Sequence, residues 1–198
     1  MSATITHLRA EDRQLVAYLQ LIAGPRPGGE LIEIRYATPH GLMRRLFIPA
    51  WAPDRGARAI GVLAPRNNVY VGVALRCRRA GGRDAVSSSH LAFVEIDAPD
   101  AQERLQRFAY APNIVIASGS AGHLHAYWAL RTPVPTAAIQ AANRRLAQHL
   151  GGDLASVDAA RILRPLSVAR RIRRSVCPAR SFADASPSEA VIDGKSAR

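Results

Sequence analysis

Glu95 and Asp97 stand two residues apart at the end of the apolar run His90-Leu-Ala-Phe-Val-Glu-Ile-Asp97. Successive side chains on a strand point to opposite faces, so the two carboxylates share one face, about 6–7 Å apart along the backbone. Ala92, Val94 and Ile96 share the other face and Phe93 lies on the acid side, so the strand reads as buried on both faces. Two carboxylates beside an apolar sheet require positive charge between them, and a divalent cation with oxygen ligands commonly supplies it. The alternative at this stage is an exposed strand end carrying two solvated acids.

Downstream, Ala117-Ser-Gly-Ser-Ala-Gly-His-Leu-His-Ala-Tyr-Trp128 places a turn of small residues before a strand that presents His123 and His125 on one face. Such a turn exposes backbone N–H groups, and an imidazole beside it can hold a phosphate oxygen. The plainer reading is a pair of satisfied strand histidines. Tyr127 and Trp128 read as core aromatics rather than base-stacking platforms. Further on, Gly151-Gly-Asp-Leu-Ala-Ser-Val-Asp-Ala-Ala-Arg-Ile-Leu-Arg164 adds a third acid, Asp158, trailed by Arg161 and Arg164. Asp158 also suits the cap of a helix beginning at Ala159. Three acids, a histidine and trailing arginines are the parts of a two-metal phosphoryl-transfer site.

In this order, Glu95-Ile-Asp97, Ser118-Gly119 through His125-Ala-Tyr127-Trp128, and Val157-Asp158 with Arg161 and Arg164 resemble the archaeo-eukaryotic primase superfamily. The likeness is greatest to the RepB-like primase domains of plasmids and mobile elements. Val69-Tyr-Val-Gly-Val73 before a basic strand end fits the same pattern, and the resemblance runs from about Leu15 to Arg164. It implies a DNA primase that makes primers on single-stranded DNA for plasmid, phage or mobile-element replication. Glu95, Asp97 and Asp158 would then bind Mg²⁺ or Mn²⁺, with Asp153 as a substitute for Asp158. His125, Ser118, Gly119, Arg161 and Arg164 would orient the triphosphate. The implied partners are a single-stranded template, NTP or dNTP, and a replicative helicase.

Two departures from the family pattern stand out. Glu95 occupies a position that usually carries Asp, and its longer arm shifts any bound metal. After Arg164 the chain reads Pro-Leu-Ser-Val where Pro-Gly-Thr-x-Asn is common, the pattern expected of a truncated, frameshifted or degenerate copy. A primase fold that binds nucleic acid without catalysis is therefore the first alternative. His123-Leu-His125 also matches the His-hydrophobic-His pattern of rolling-circle nickases, but Tyr127 is the only tyrosine that follows. It lies on the same strand and is not the helix-borne nucleophile such an enzyme needs.

The 198 residues carry a net charge of +12, with 27 Lys+Arg against 15 Asp+Glu, which favours a polyanionic partner. Lys195 is the only lysine, and so strong an arginine bias also arises from GC-rich coding DNA. Clusters at Arg76, Arg78 and Arg79 and at Arg170 and Arg171 are the candidate nucleic-acid contacts, with solvated turns as the alternative. A hydrophobic content of 48% with 21% charge describes a folded protein. No apolar run is long enough for a membrane span and no signal peptide is evident, so a cytoplasmic location is expected. Cys77 and Cys177 fit no zinc spacing and read as reduced thiols.

The positioning elements follow from periodicity. Helices are predicted over residues 11–22, 54–63, 100–110 and 135–150, the last stopped by Gly151-Gly152. Strands are predicted over 31–36, 42–49, 69–75, 90–97, 114–117 and 123–130, while 157–163 is open between strand and short helix. The fold class is α/β in the broad sense (α+β), a mixed, largely antiparallel sheet flanked by helices with the site on one face. Residues 1–175 form one catalytic domain, and 176–198 lack periodicity and read as a disordered tail.

Overall fold

A computed structural model describes residues 10–25, 27–117 and 122–165. Ser118, Gly119, Arg170, Arg171, Cys177 and the predicted tail lie outside the described residues. The elements run α1 (Ala10–Ala23), β1 (Leu31–Ala37), β2 (Met43–Pro49), α2 (Pro53–Leu63), β3 (Asn68–Gly72), β4 (Ser88–Ile96), α3 (Ala101–Arg107), β5 (Ile114–Ala117), β6 (Leu124–Pro135), α4 (Thr136–Leu150) and β7 (Ile162–Leu163). Short 3₁₀ turns occupy Arg83–Ala85 and Leu154–Ser156.

The strands divide into two sheets, β2-β1-β3-β7 and β4-β6-β5, where the sequence suggests a single mixed one. Every strand pairing among the described residues is antiparallel. α1 packs against both sheets. It buries Leu15, Tyr18, Leu19, Ile22 and Ala23, a wide stripe at helical spacing, in a core that takes in both sheets. Ile32, Ile34, Val71 and Leu163 enter this core from the first sheet, and Leu91, Phe93, Ile116 and Tyr127 from the second. The opposite face of the second sheet, with Ala92, Val94, Ile96, Ala126 and Trp128, forms a separate core with α3 and α4. β4 is thus apolar on both faces, as its sequence requires.

Three elements are shorter than predicted, among them β3, which ends at Gly72 rather than at 75. α3 stops at Arg107 because Phe108 is extended (φ −70°, ψ 132°) and turns its ring against Tyr110, Trp128 and His149. The 157–163 segment yields only the two-residue β7, which pairs with Val71 and Gly72. α4 presents Ile139, Asn143, Leu146, Ala147 and Leu150 inward and ends at Gly151, whose φ of 68° suits glycine. No helix among the described residues is long and apolar enough to cross a membrane.

Candidate active site

β4 and β6 are in antiparallel register with Phe93 opposite Tyr127, Glu95 opposite His125 and Ile96 opposite Leu124. Residues directly opposite share a face. One row of alternating positions therefore carries Phe93, Glu95 and Asp97 beside Tyr127, His125 and His123. Its first members enter the core under α1, and its last members emerge at the open end of the sheet. The same periodicity that buries Phe93 sets Glu95 at the margin, 19% exposed, and Asp97 beyond it, 48% exposed.

Each acid has its own imidazole. His123 Nδ1 lies 2.7 Å from Asp97 Oδ1. His125 Nε2 lies 3.4 Å from Glu95 Oε1, an ion-pair distance with poor alignment, and both ring nitrogens of this buried side chain have no hydrogen-bond partner. On its other oxygen Glu95 accepts from an Arg161 terminal nitrogen at 3.1 Å, while Arg161 Nε is buried without a partner. The adjacent His125 imidazole holds the Glu95 carboxyl down at about 2, against burial, with help from the Ser156 hydroxyl and Arg161.

The segment after α4 fixes Glu95 from behind. Asp153 N–H donates to the Glu95 carbonyl at 2.9 Å. This approach needs Gly152, because a Cβ there would stand 2.4 Å from Val94 Cγ2 and 2.7 Å from the Glu95 carbonyl oxygen. The buried Asn143 completes the brace: its Oδ1 accepts from the Phe93 N–H at 3.0 Å and its amide donates to the Val157 carbonyl at 3.3 Å. A buried strand-edge N–H left without such a partner would cost about 1–3 kcal/mol.

Asp158 is not brought to this pair. Its Oδ2 accepts from Arg83 at 2.6 Å and its Oδ1 from the Ala160 N–H at 2.7 Å, closing a turn at 159–160 where a helix starting at Ala159 was the alternative. Burial opposes its ionisation, but the Ala160 N–H and Arg83 outweigh it and lower its pKa. Asp153 caps the Leu154–Ser156 turn, accepting from Ala155 N–H and the Ser156 hydroxyl. Among the described residues no three acid, histidine or cysteine side chains are gathered to hold a metal ion. The donor chemistry of Glu95 and Asp97 still fits a hard divalent cation: two carboxylates on neighbouring same-face positions, one open to solvent, beside an imidazole with unpartnered nitrogens.

The arginines divide as well. Arg161 faces Glu95, whereas Arg164, beyond β7, sets its guanidinium 5.9 Å from the Tyr70 ring and does not reach the acids. Arg76, expected as a nucleic-acid contact, is wholly buried. It donates to Glu33 Oε2 at 2.8 Å and to the carbonyls of Ala74 and Ala160, so it belongs to the framework. Arg78 is exposed and pairs with Asp84, and Arg79 is exposed. Tyr127 is wholly buried, with its hydroxyl 3.5 Å from that of Tyr18, and burial pushes its pKa well above the ordinary value. That excludes it as an accessible nucleophile and removes the nickase reading. Sequence reasoning missed the pairing of His123 with Asp97, the Asn143 brace and the capture of Asp158 by Arg83. Only the first had a visible signal, the shared parity of His123 and His125.

No family model matches this chain, and no curated protein matches it by sequence. Solved structures do share its fold. The archaeo-eukaryotic primase domain of the cyanophage S-2L primase-polymerase superposes with a TM-score of 0.58 at 20% identity, over 77% of this chain and 80% of that one. Primase RepB′ gives 0.57 at 17% identity, over 78% of this chain and 49% of its own. The catalytic domain of RepB′ in complex with initiator DNA gives 0.53 at 17%, over 77% and 76%. The chain therefore has a RepB-like archaeo-eukaryotic primase fold, and at these identities the likeness is one of fold.

Proposed function

We propose that this primase-type fold works as a DNA primase, a metal-dependent nucleotidyltransferase that makes primers on single-stranded DNA. The observation that carries the reading is the Glu95–His125 row with Asp97–His123 beside it, at the open end of one sheet of a primase-type fold. In the reaction a 3′-hydroxyl attacks the α-phosphate of an NTP or dNTP, the bond to the β-phosphate breaks and pyrophosphate leaves.

Glu95 and Asp97 would hold Mg²⁺ or Mn²⁺, with Asp158 as a third ligand once Arg83 releases it. Bound there, such ions stabilise charge on the attacking and leaving oxygens. The rest falls to the chain itself. His125 has two buried nitrogens without partners and is positioned to donate to a phosphate oxygen. Arg161, which pairs with Glu95, would orient the triphosphate, a role we also assign to Arg164, Ser118 and Gly119. His123 keeps Asp97 oriented. Arg78, Arg79, Arg170 and Arg171 contact the template backbone, and a replicative helicase is the partner such a role calls for in plasmid, phage or mobile-element replication in the cytoplasm.

One observation favours a second reading, a nucleic-acid-binding protein without catalysis: the third carboxylate is held by Arg83. Primer synthesis on single-stranded DNA with Mg²⁺ or Mn²⁺ and labelled NTPs and dNTPs decides between them. Products from the wild type that vanish in Asp97→Ala, with DNA affinity retained, establish the enzyme. No product from either protein, with DNA still bound, leaves the binding reading.

A further inference from the structure

A cavity of about 620 Å³ opens on the far side of β4, between α4 and the segment that runs through Val157 and Asp158. α4 packs on the β4 face opposite Glu95, so the cavity is distinct from the acid–histidine cleft and shares with it only the 153–161 segment, from which Asp158 lines the cavity and Arg161 reaches Glu95. Three guanidiniums line it. Arg144 and Arg145 come from the outer side of α4, and Arg83 from the 3₁₀ turn before β4. Arg144 and Arg145 are exposed and have no ion pair among the described residues. The only acid in the lining is Asp158, already engaged by Arg83, so the cavity keeps a surplus of positive charge. Gln140 lies one turn before Arg144, and its Oε1 is buried without a hydrogen-bond partner. A concave site of this size, with surplus guanidinium and a waiting acceptor, suits a ligand that carries both phosphate and N–H or O–H donors.

We propose that this cavity is a second binding site that takes the phosphate of a nucleotide unit. The nucleotide comes either from a bound single strand or from a free nucleoside triphosphate. The site rests on the nucleic-acid reading only for the choice of probes, and its test needs no catalysis.

The test is fluorescence anisotropy on the full chain, with a labelled oligothymidylate in one arm and a fluorescent ATP analogue in the other. Wild type is compared with Arg144→Ala/Arg145→Ala and with a charge-matched control, Arg55→Ala/Arg66→Ala, at several salt concentrations. Both pairs are exposed, alanine suits helix α4, and circular dichroism checks folding. A cavity that holds a strand gives about tenfold weaker oligothymidylate binding and a salt slope lower by roughly 1.4, two phosphates at about 0.7 each. The control then changes affinity less than twofold. A cavity that holds a free nucleotide gives the loss in the ATP arm instead. Equal losses from both double variants, or no loss in either arm, overturn the proposal. Failure of primer synthesis with a cavity-specific loss of binding overturns the enzyme and leaves the site standing.

Discussion

Two glutamates of this molecule meet arginine in opposite ways. Glu33, on β1, is wholly buried and takes guanidinium donors from Arg76 at 2.8 Å and Arg35 at 2.5 Å, with Arg45 3.4 Å away. Each terminal nitrogen of Arg76 donates to a carbonyl, and Arg35 also reaches the Gly81 carbonyl at 2.7 Å. No carboxylate oxygen of Glu33 and no guanidinium nitrogen of Arg76 is left without a partner. Glu95, on β4, has looser partners, His125 at 3.4 Å and Arg161 at 3.1 Å, and both carry buried nitrogens without a hydrogen bond. Buried polar atoms are normally paired. A carboxylate paired with arginine is therefore no mark of a site by itself; the unfilled donors around Glu95 are.

The most severe way to test that contrast is Glu33→Gln. It leaves the fully buried Arg76 without a counter-charge, and breaking a buried pair from one side costs about 3–5 kcal/mol. For a chain of this size the melting temperature should fall by roughly 6–20 °C. Glu95→Gln should cost far less, because Arg161 is partly exposed and can turn to water. Thermal melts of the two variants compare them directly, and equal losses would erase the distinction.

Gly152→Ala comes next. Its Cβ would press on Val94 and on the Glu95 carbonyl, and overpacking of this kind typically costs about 1–3 kcal/mol. Because the strain falls on the acid strand, DNA-dependent synthesis should drop further than stability does. Denaturant melts alongside primer assays measure both. The pH dependence is subtler. The Glu95 carboxyl sits at about 2 against an ordinary 4.5, so the folded chain binds this proton less readily than the unfolded one. The stability it contributes is whole above about pH 4.5 and is lost as pH falls towards 2. Wild type should lose stability through that window more steeply than Glu95→Gln, and parallel curves would mean that Glu95 is not held as its neighbours imply.

Much of this was legible in the sequence because period-2 alternation is a local signal. Glu95, Asp97, His123 and His125 fall on one face by parity alone, and Tyr127 follows them into the core. The order of the three motifs carried the fold. What was not legible depends on long-range pairing. Arg76 and Arg78 look alike in a basic cluster, yet one is sealed against Glu33 and the other lies at the surface, because Leu31 bridges Arg76 across the sheet. Glu33 alternates with Ile32 and Ile34 and so reads as the polar side of β1, and nothing local shows that Arg76 covers it. The division into two sheets was hidden because α1 announces its apolar stripe but not that both sides of it are covered. Asp158 is held away from Glu95 by Arg83, and no sequence pattern encodes a partner 75 residues earlier.

The smallest expected effect is the most discriminating. Arg83 is 67% exposed and Asp158 32%, so their ion pair is a surface contact, and Arg83→Ala should change stability by no more than about 1 kcal/mol. Its consequence for the cleft is larger if Asp158 is a metal ligand held in reserve. Freed from Arg83, the carboxylate keeps only the Ala160 N–H and can join Glu95 and Asp97, and Mn²⁺ should bind about tenfold more tightly, roughly 1.4 kcal/mol. Removing a nearby positive charge would also raise cation affinity without any new ligand, so the variant alone does not decide. The double variant Arg83→Ala/Asp158→Asn does. If the gain in Mn²⁺ affinity disappears with the carboxylate, Asp158 is the third ligand and the Arg83 pair keeps it out of the set. If the gain survives, the effect is one of charge alone, and the cleft works with Glu95 and Asp97 as its only acids.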